Sequence, residues 1–322
     1  MNIAKTRSRK MNYFYFFIRT FCFYSILQIS ACSTYNQATH QYVTENFSKL
    51  SPHYVPTQQG QIEYYISGSG TPILLIPGYA TDVSSWNSEF LAALAQHHQI
   101  IIPNNRNVGG SHILSASYQT EDLANDTYQL IQKVRLKKPT VIGISMGGMI
   151  AQQLAVLHPN ALSHLILINT SIAGKHAVQP TPAVQKKLLG LSKYKLGFYV
   201  SAIDLFFPPS WKMQMSYSLI VNRFKPQHLT EIDPGSIMPQ QQHLIRHWLD
   251  DNATAKKISE LHMPVLILNG QSDIVIPPVN SVILANAIHH AQLIRWKDGG
   301  HAMIYQYPQE MANNINDFIT AN

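Results

Sequence analysis

The chain has 322 residues, 45% of them hydrophobic and 13% charged; that composition excludes a disordered polymer and suffices to bury one large core carrying an insertion. The formal charge of +7 would suit a polyanion binder, but Lys5, Arg7, Arg9, Lys10 and Arg19 all fall within residues 1–31, which hold no acidic residue. Without those five, 19 basic residues stand against 17 acidic ones, a balance that points away from nucleic acid as a partner.

At the N-terminus a basic stretch, Lys5 to Lys10, and an aromatic stretch, Tyr13 to Ile18, precede an apolar run from Thr20 to Ile29. Some ten residues suit the h-region of a secretory signal, whereas crossing a bilayer takes about 20. The run closes in Ile29-Ser30-Ala31-Cys32, which resembles a bacterial lipobox. That resemblance implies cleavage before Cys32, lipidation of Cys32 and loss of Cys22 with the signal. Ser33 in the next position resembles the outer-membrane rather than the inner-membrane sorting signal. An uncleaved signal anchor, with Arg19 near one interface, is the alternative. The expectation is an exported protein of the bacterial cell envelope, held at the membrane by an N-terminal lipid. Residues 1–31 are then the signal peptide and 32–58 a polar spacer rich in Asn, Gln and Thr.

From Gln61 onward short apolar runs alternate with helix-length segments, the pattern of a mostly parallel, doubly wound α/β sheet covered on both faces. Strands are expected over Ile62 to Ile66, Pro72 to Ile76, Gln99 to Ile102, Thr140 to Ile144, Leu165 to Ile168, Val265 to Leu268 and Gln292 to Trp296. Helices are expected over Trp86 to Gln96, Glu121 to Val134, Met149 to His158 and Pro308 to Ile319. Between Ser171 and His262 the alternation stops for about 90 residues, too long for a bare loop. The interval carries helical patterns at Pro182 to Leu196, Pro239 to Leu249 and Asn252 to Leu261, with aromatics at Phe198, Tyr199, Phe206, Phe207, Trp211 and Tyr217. It reads as a helical cap, 171–262, inserted between core segments 59–170 and 263–322.

The sharpest local signal is Thr140-Val-Ile-Gly143-Ile-Ser145-Met-Gly147-Gly148-Met, an apolar strand passing through Gly-x-Ser-x-Gly into a helix. A serine in a tight strand-to-helix turn needs small neighbours, and the helix N-terminus behind it offers N–H groups to a developing anion. Gly-Ile-Ser-Met-Gly-Gly-Met-Ile-Ala-Gln-Gln-Leu-Ala resembles the α/β-hydrolase superfamily, over about residues 61–322 apart from much of the cap.

That resemblance implies a Ser-acid-His order along the chain. Ser145 would be the nucleophile, Asp273 the acid, in Gly270-Gln-Ser-Asp273-Ile-Val-Ile-Pro-Pro, and His301 the base, in Gly299-Gly300-His301-Ala-Met. Asp298 is the rival acid. The oxyanion hole would use the N–H groups of Met146 and Tyr79. Pro77-Gly78 stands where many relatives carry His-Gly, and Asn104 opens a turn that the family begins with Asp; that turn is read as structural. His97-His98 and His289-His290 read as solvated loop residues, and no metal or organic cofactor is implied. The implied activity is cleavage of an ester-type bond in a small apolar acyl substrate through an acyl-enzyme. Thioesters, lactones and peptides are open to the same fold, and a non-catalytic ligand-binding lipoprotein is the reading from another class. The oligomeric state stays open.

Overall fold

In a computed structural model the chain is described over residues 46–57, 59–113, 117–191, 202–230, 232 and 234–322. The expected signal peptide, Cys32 and most of the spacer lie outside the described residues, as do Phe198 and Tyr199. Residues 46–322 form one compact unit. Its strands are β1 (His53–Thr57), β2 (Gly60–Ser67), β3 (Thr71–Ile76), β4 (His98–Pro103), β5 (His112–Ile113), β6 (Thr140–Ile144), β7 (His164–Ile168), β8 (Val265–Gly270) and β9 (Gln292–Trp296). Its helices are α1 (Ser88–Ala95), α2 (Thr120–Val134), α3 (Met146–Leu157), α4 (Pro182–Leu189), α5 (Lys212–Val221), α6 (Pro234–Asp250), α7 (Asn252–Lys257), α8 (Val279–Ala287) and α9 (Pro308–Ala321).

The strands make one sheet in the order β1-β2-β4-β3-β6-β7-β8-β9, with β5 paired to β2. From β4 to β9 neighbours run parallel, while β1, β2 and β5 add an antiparallel edge. All five residues of β6 and all six of β8 are buried. Helices cover both faces of these strands, which is why they read as unbroken apolar runs rather than alternating ones. From β3 the chain steps outward to β4 and then returns to β6 on the other side of β3. That reversal opens a crevice beyond the C-terminal ends of β3 and β6, the place where an open α/β sheet receives ligands.

Four expectations need correcting. The polar spacer expected over 32–58 is not bare to its end: His53–Thr57 forms β1, antiparallel to β2 with Val55 buried. Pro56 hides this strand from the pattern, and an edge strand is where a sheet tolerates proline. Helix α3 begins at Met146 rather than Met149, because Gly147 and Gly148, poor helix formers, occupy its first turn. Helix α6 begins at Pro234, which puts Pro239 inside it. His98 is not in a solvated loop: it is buried in β4, its ring within hydrogen-bond distance of Thr71 Oγ1 (2.7 Å) and Asn316 Oδ1 (3.1 Å). Burial lowers its pKa.

Between β7 and β8 the chain forms α4, α5, α6 and α7. Leu244 and Trp248 of α6, with Ile258, join the main core beside Ile150 and Leu165. A smaller apolar cluster of Ala80, Leu191, Ala202, Leu205, Met238 and Val275 lies apart from it. Among the described residues no helix is long and apolar enough to cross a membrane.

Candidate active site

Ser145 is the single residue between β6 and α3, with φ 55° and ψ −121°. A β-carbon on a positive φ is strained by about 1–3 kcal/mol and persists only where the surroundings enforce it. Here Ser145 N–H donates to Ile168 O at 2.9 Å, and Thr170 Oγ1 donates to Ser145 O at 2.8 Å. The glycines on either side are required: a Cβ on Gly143 would lie 2.3 Å from Gly147 O, and one on Gly147 would lie 2.1 Å from Ile76 O.

Two later loops meet this turn. The loop after β8 carries Asp273, whose Oδ1 accepts the N–H groups of Val275 (2.8 Å) and Ile276 (2.9 Å). Its Oδ2 lies 2.8 Å from His301 Nδ1, in the loop after β9, and His301 Nε2 lies 3.0 Å from Ser145 Oγ. With Nδ1–H donating to Asp273 Oδ2, Nε2 is left to accept from the serine hydroxyl. Both Asp273 and His301 are buried. The side chain of Asp298 is exposed, and its backbone carbonyl accepts from Gln306.

Asn169, just past β7, ties the two loops together. Its Nδ2 donates to Gly300 O (3.0 Å) and His301 O (2.8 Å), while its Oδ1 accepts the N–H of Gly270 (2.9 Å). Phe206, from the interval between β7 and β8, sets its ring 5.6 Å from the His301 imidazole.

The loop after β3 brings Gly78 and Tyr79 to the same crevice, where they share a cavity wall with Ser145 and Met146. Ala80 holds φ 55°. Helix α6 clamps this loop through consecutive glutamines: Gln241 Oε1 accepts Ala80 N–H at 2.6 Å, and Gln242 Nε2 donates to Tyr79 Oη at 2.8 Å. Burial pushes the Tyr79 phenol up to about 12, so it stays protonated. Asn105 Nδ2 adds a bond to Pro77 O at 3.2 Å. These contacts hold the loop where Pro77 offers no side-chain donor. No residue in the sequence announces them, because α6 and the loop are about 160 positions apart.

The turn opened by Asn104 is structural. Glu63 Oε2 is buried against Asn104 Nδ2 (2.5 Å) and Gly110 N (2.9 Å), and Asn104 Oδ1 accepts Val83 N–H. An Asp at position 104 would set two carboxylates against each other, whereas an amide donates to one. Arg106 beside it grips Asp126 of α2 at 2.7 and 2.9 Å.

A cavity of about 390 Å³ opens over Ser145. Its walls are mainly apolar and include Met149, Leu188, Phe206, Leu219, Ile245 and Leu249, so α4, α5 and α6 all contribute. Tyr217, expected in an aromatic cluster, instead faces solvent. No three His, Cys, Asp or Glu side chains among the described residues are placed to hold a metal ion.

The sequence profile of the alpha/beta hydrolase fold family matches residues 71–308. The chain belongs to the alpha/beta hydrolase fold family. This α/β-hydrolase is 26% identical over 255 residues to RutD of Pseudomonas savastanoi pv. phaseolicola, provisionally named a carbamate hydrolase, spanning 78% of this chain and 94% of that protein. It is 23% identical over 257 residues to a 2-hydroxymuconate semialdehyde hydrolase of Pseudomonas sp. strain CF600, spanning 79% and 88%. Among solved structures, an α/β-hydrolase fold protein from Chitinophaga pinensis superposes with a TM-score of 0.74 at 18% identity, covering 86% of this chain and 100% of that one.

Proposed function

We propose that this α/β-hydrolase cleaves an ester-type bond of an apolar acyl substrate, with Ser145, His301 and Asp273 as its catalytic triad. The observation that carries the reading is the Ser145 Oγ, His301 Nε2, His301 Nδ1, Asp273 Oδ2 relay at 3.0 and 2.8 Å, opening into an apolar cavity. His301 Nε2 takes the hydroxyl proton as Ser145 Oγ bonds to the carbonyl carbon, and Asp273 stabilises the imidazolium formed. The N–H groups of Tyr79 and Met146 receive the carbonyl oxygen as it becomes an oxyanion. The imidazolium returns its proton to the departing alkoxide, leaving an acyl-enzyme. A water deprotonated by the same Nε2 then releases the acid and restores Ser145.

The mainly apolar walls of the cavity support an apolar acyl arm next to Ser145. In a series of 4-nitrophenyl esters, kcat/KM is expected to rise roughly fourfold per added methylene, from about 0.8 kcal/mol of burial each, until the cavity is full. A thioester, a lactone, a carbamate and an amide of matched length belong in the same assay. Inactivity toward every oxygen ester, with turnover of one of the others, would reassign the bond.

Gln241 acts here as a positioning residue. Its Nε2 is buried without an acceptor among the described residues, an arrangement costing about 1–3 kcal/mol, which the fold tolerates to hold Ala80 N–H. Gln241→Met keeps the volume and removes the acceptor. It is expected to lower kcat about 10- to 100-fold with little change in KM, because displacement of about 1 Å weakens the oxyanion contact more than ground-state binding. A variant that merely loses thermal stability at unchanged kcat would refute the assignment.

A further inference from the structure

Helix α6 turns one face to the cavity, through Gln242, Ile245, Arg246 and Leu249, the i, i+3, i+4, i+7 spacing of a single helical stripe. Ile245 and Leu249 continue the apolar wall. Arg246 does not: among the described residues that line the cavity it is, apart from the proposed base His301, the one ionisable nitrogen side chain, and none of those residues is a carboxylate. Among the described residues no acceptor engages its guanidinium. Arg106, by contrast, is held bidentately by Asp126. Arg246 is exposed to solvent at the edge of this apolar wall.

A guanidinium presents a rigid fork of donors matched to two oxygens of a carboxylate or phosphate. We propose that the cavity takes an acyl substrate whose apolar arm leads away from Ser145 and ends in an anionic oxygen group bound by Arg246. The proposal rests on Ser145 as the nucleophile for its kinetics and on Arg246 alone for its binding. Carboxylate and phosphate share the chemistry, and the test separates them.

The test compares 4-nitrophenyl octanoate with the mono-4-nitrophenyl ester of suberic acid, which has the same chain with a terminal carboxylate. It also measures calorimetric binding of octyl phosphate, octanoate and octanol to the full-length protein. Wild type is expected to show a KM at least tenfold lower for the suberate ester than Arg246→Leu does, with kcat and the octanoate ester changed less than twofold. Added salt should shrink the difference. Arg246→Lys should retain part of the preference, as a point charge without the fork. Tighter binding of octyl phosphate than of octanoate would assign the phosphate group, and the reverse order the carboxylate. Equal handling of charged and neutral ligands by wild type and Arg246→Leu would overturn the proposal. If the protein cleaves neither ester but binds the anions through Arg246, the esterase reading fails and the anion site stands.

Discussion

Replacing Ser145 by Ala is expected to lower kcat on a 4-nitrophenyl ester by about 10⁶-fold while leaving the protein folded. Everything the turn needs from this residue is backbone: its N–H meets Ile168 O and its carbonyl receives Thr170 Oγ1. Alanine keeps both bonds and deletes only Oγ, the atom that would form the acyl-enzyme. His301→Ala should cost about as much, and the double variant little more, because nucleophile and base act as one unit. Steady-state kinetics beside thermal melts read this directly; additive losses would mean that the two side chains act separately.

Asp273→Asn is expected to lower kcat about 10⁴-fold. The acid's Oδ1 fixes its own loop through Val275 and Ile276 N–H, and Oδ2 faces His301 Nδ1. In the variant the amide oxygen keeps the two loop bonds, so the fold persists. The amide nitrogen then presents N–H to Nδ1, which must become an acceptor. The ring is pushed to the tautomer with its proton on Nε2, pointed at Ser145 Oγ and unable to receive another. Exposed Asp298 provides the control: Asp298→Asn should leave kcat within twofold. A strong loss at Asp298 with tolerance at Asp273 would exchange their roles.

The sequence made legible what local rules govern. Strand β6, Ser145 and α3 follow from an apolar run, two indispensable glycines and a helix, all within about 20 residues, and the parallel strands were readable because burial on both faces leaves no alternation. Asp273 and His301 were placed by chain order, and their approach to Ser145 is a property of the sheet, which sets the ends of β6, β8 and β9 along one edge. What escaped was set by distant partners or masked by proline. Asn169 matters because loops about 100 and 130 residues away converge on its amide. Gln241 and Gln242 look like two polar residues in a helix until α6 is laid against the Tyr79 loop. Strand β1 was hidden by Pro56, and Asn104 is explained only by the buried Glu63 it meets.

Whether Ser145 is the activated nucleophile is decided by a fluorophosphonate probe, read by intact mass and by peptide mapping, since the probe bonds covalently to an activated serine oxygen and needs no knowledge of the substrate. The expected result is a single adduct on Ser145 in the wild type, none in Ser145→Ala at an unchanged melting temperature, and greatly slowed labelling in His301→Ala. A folded wild type that takes no label, or an adduct that survives in Ser145→Ala, would contradict it.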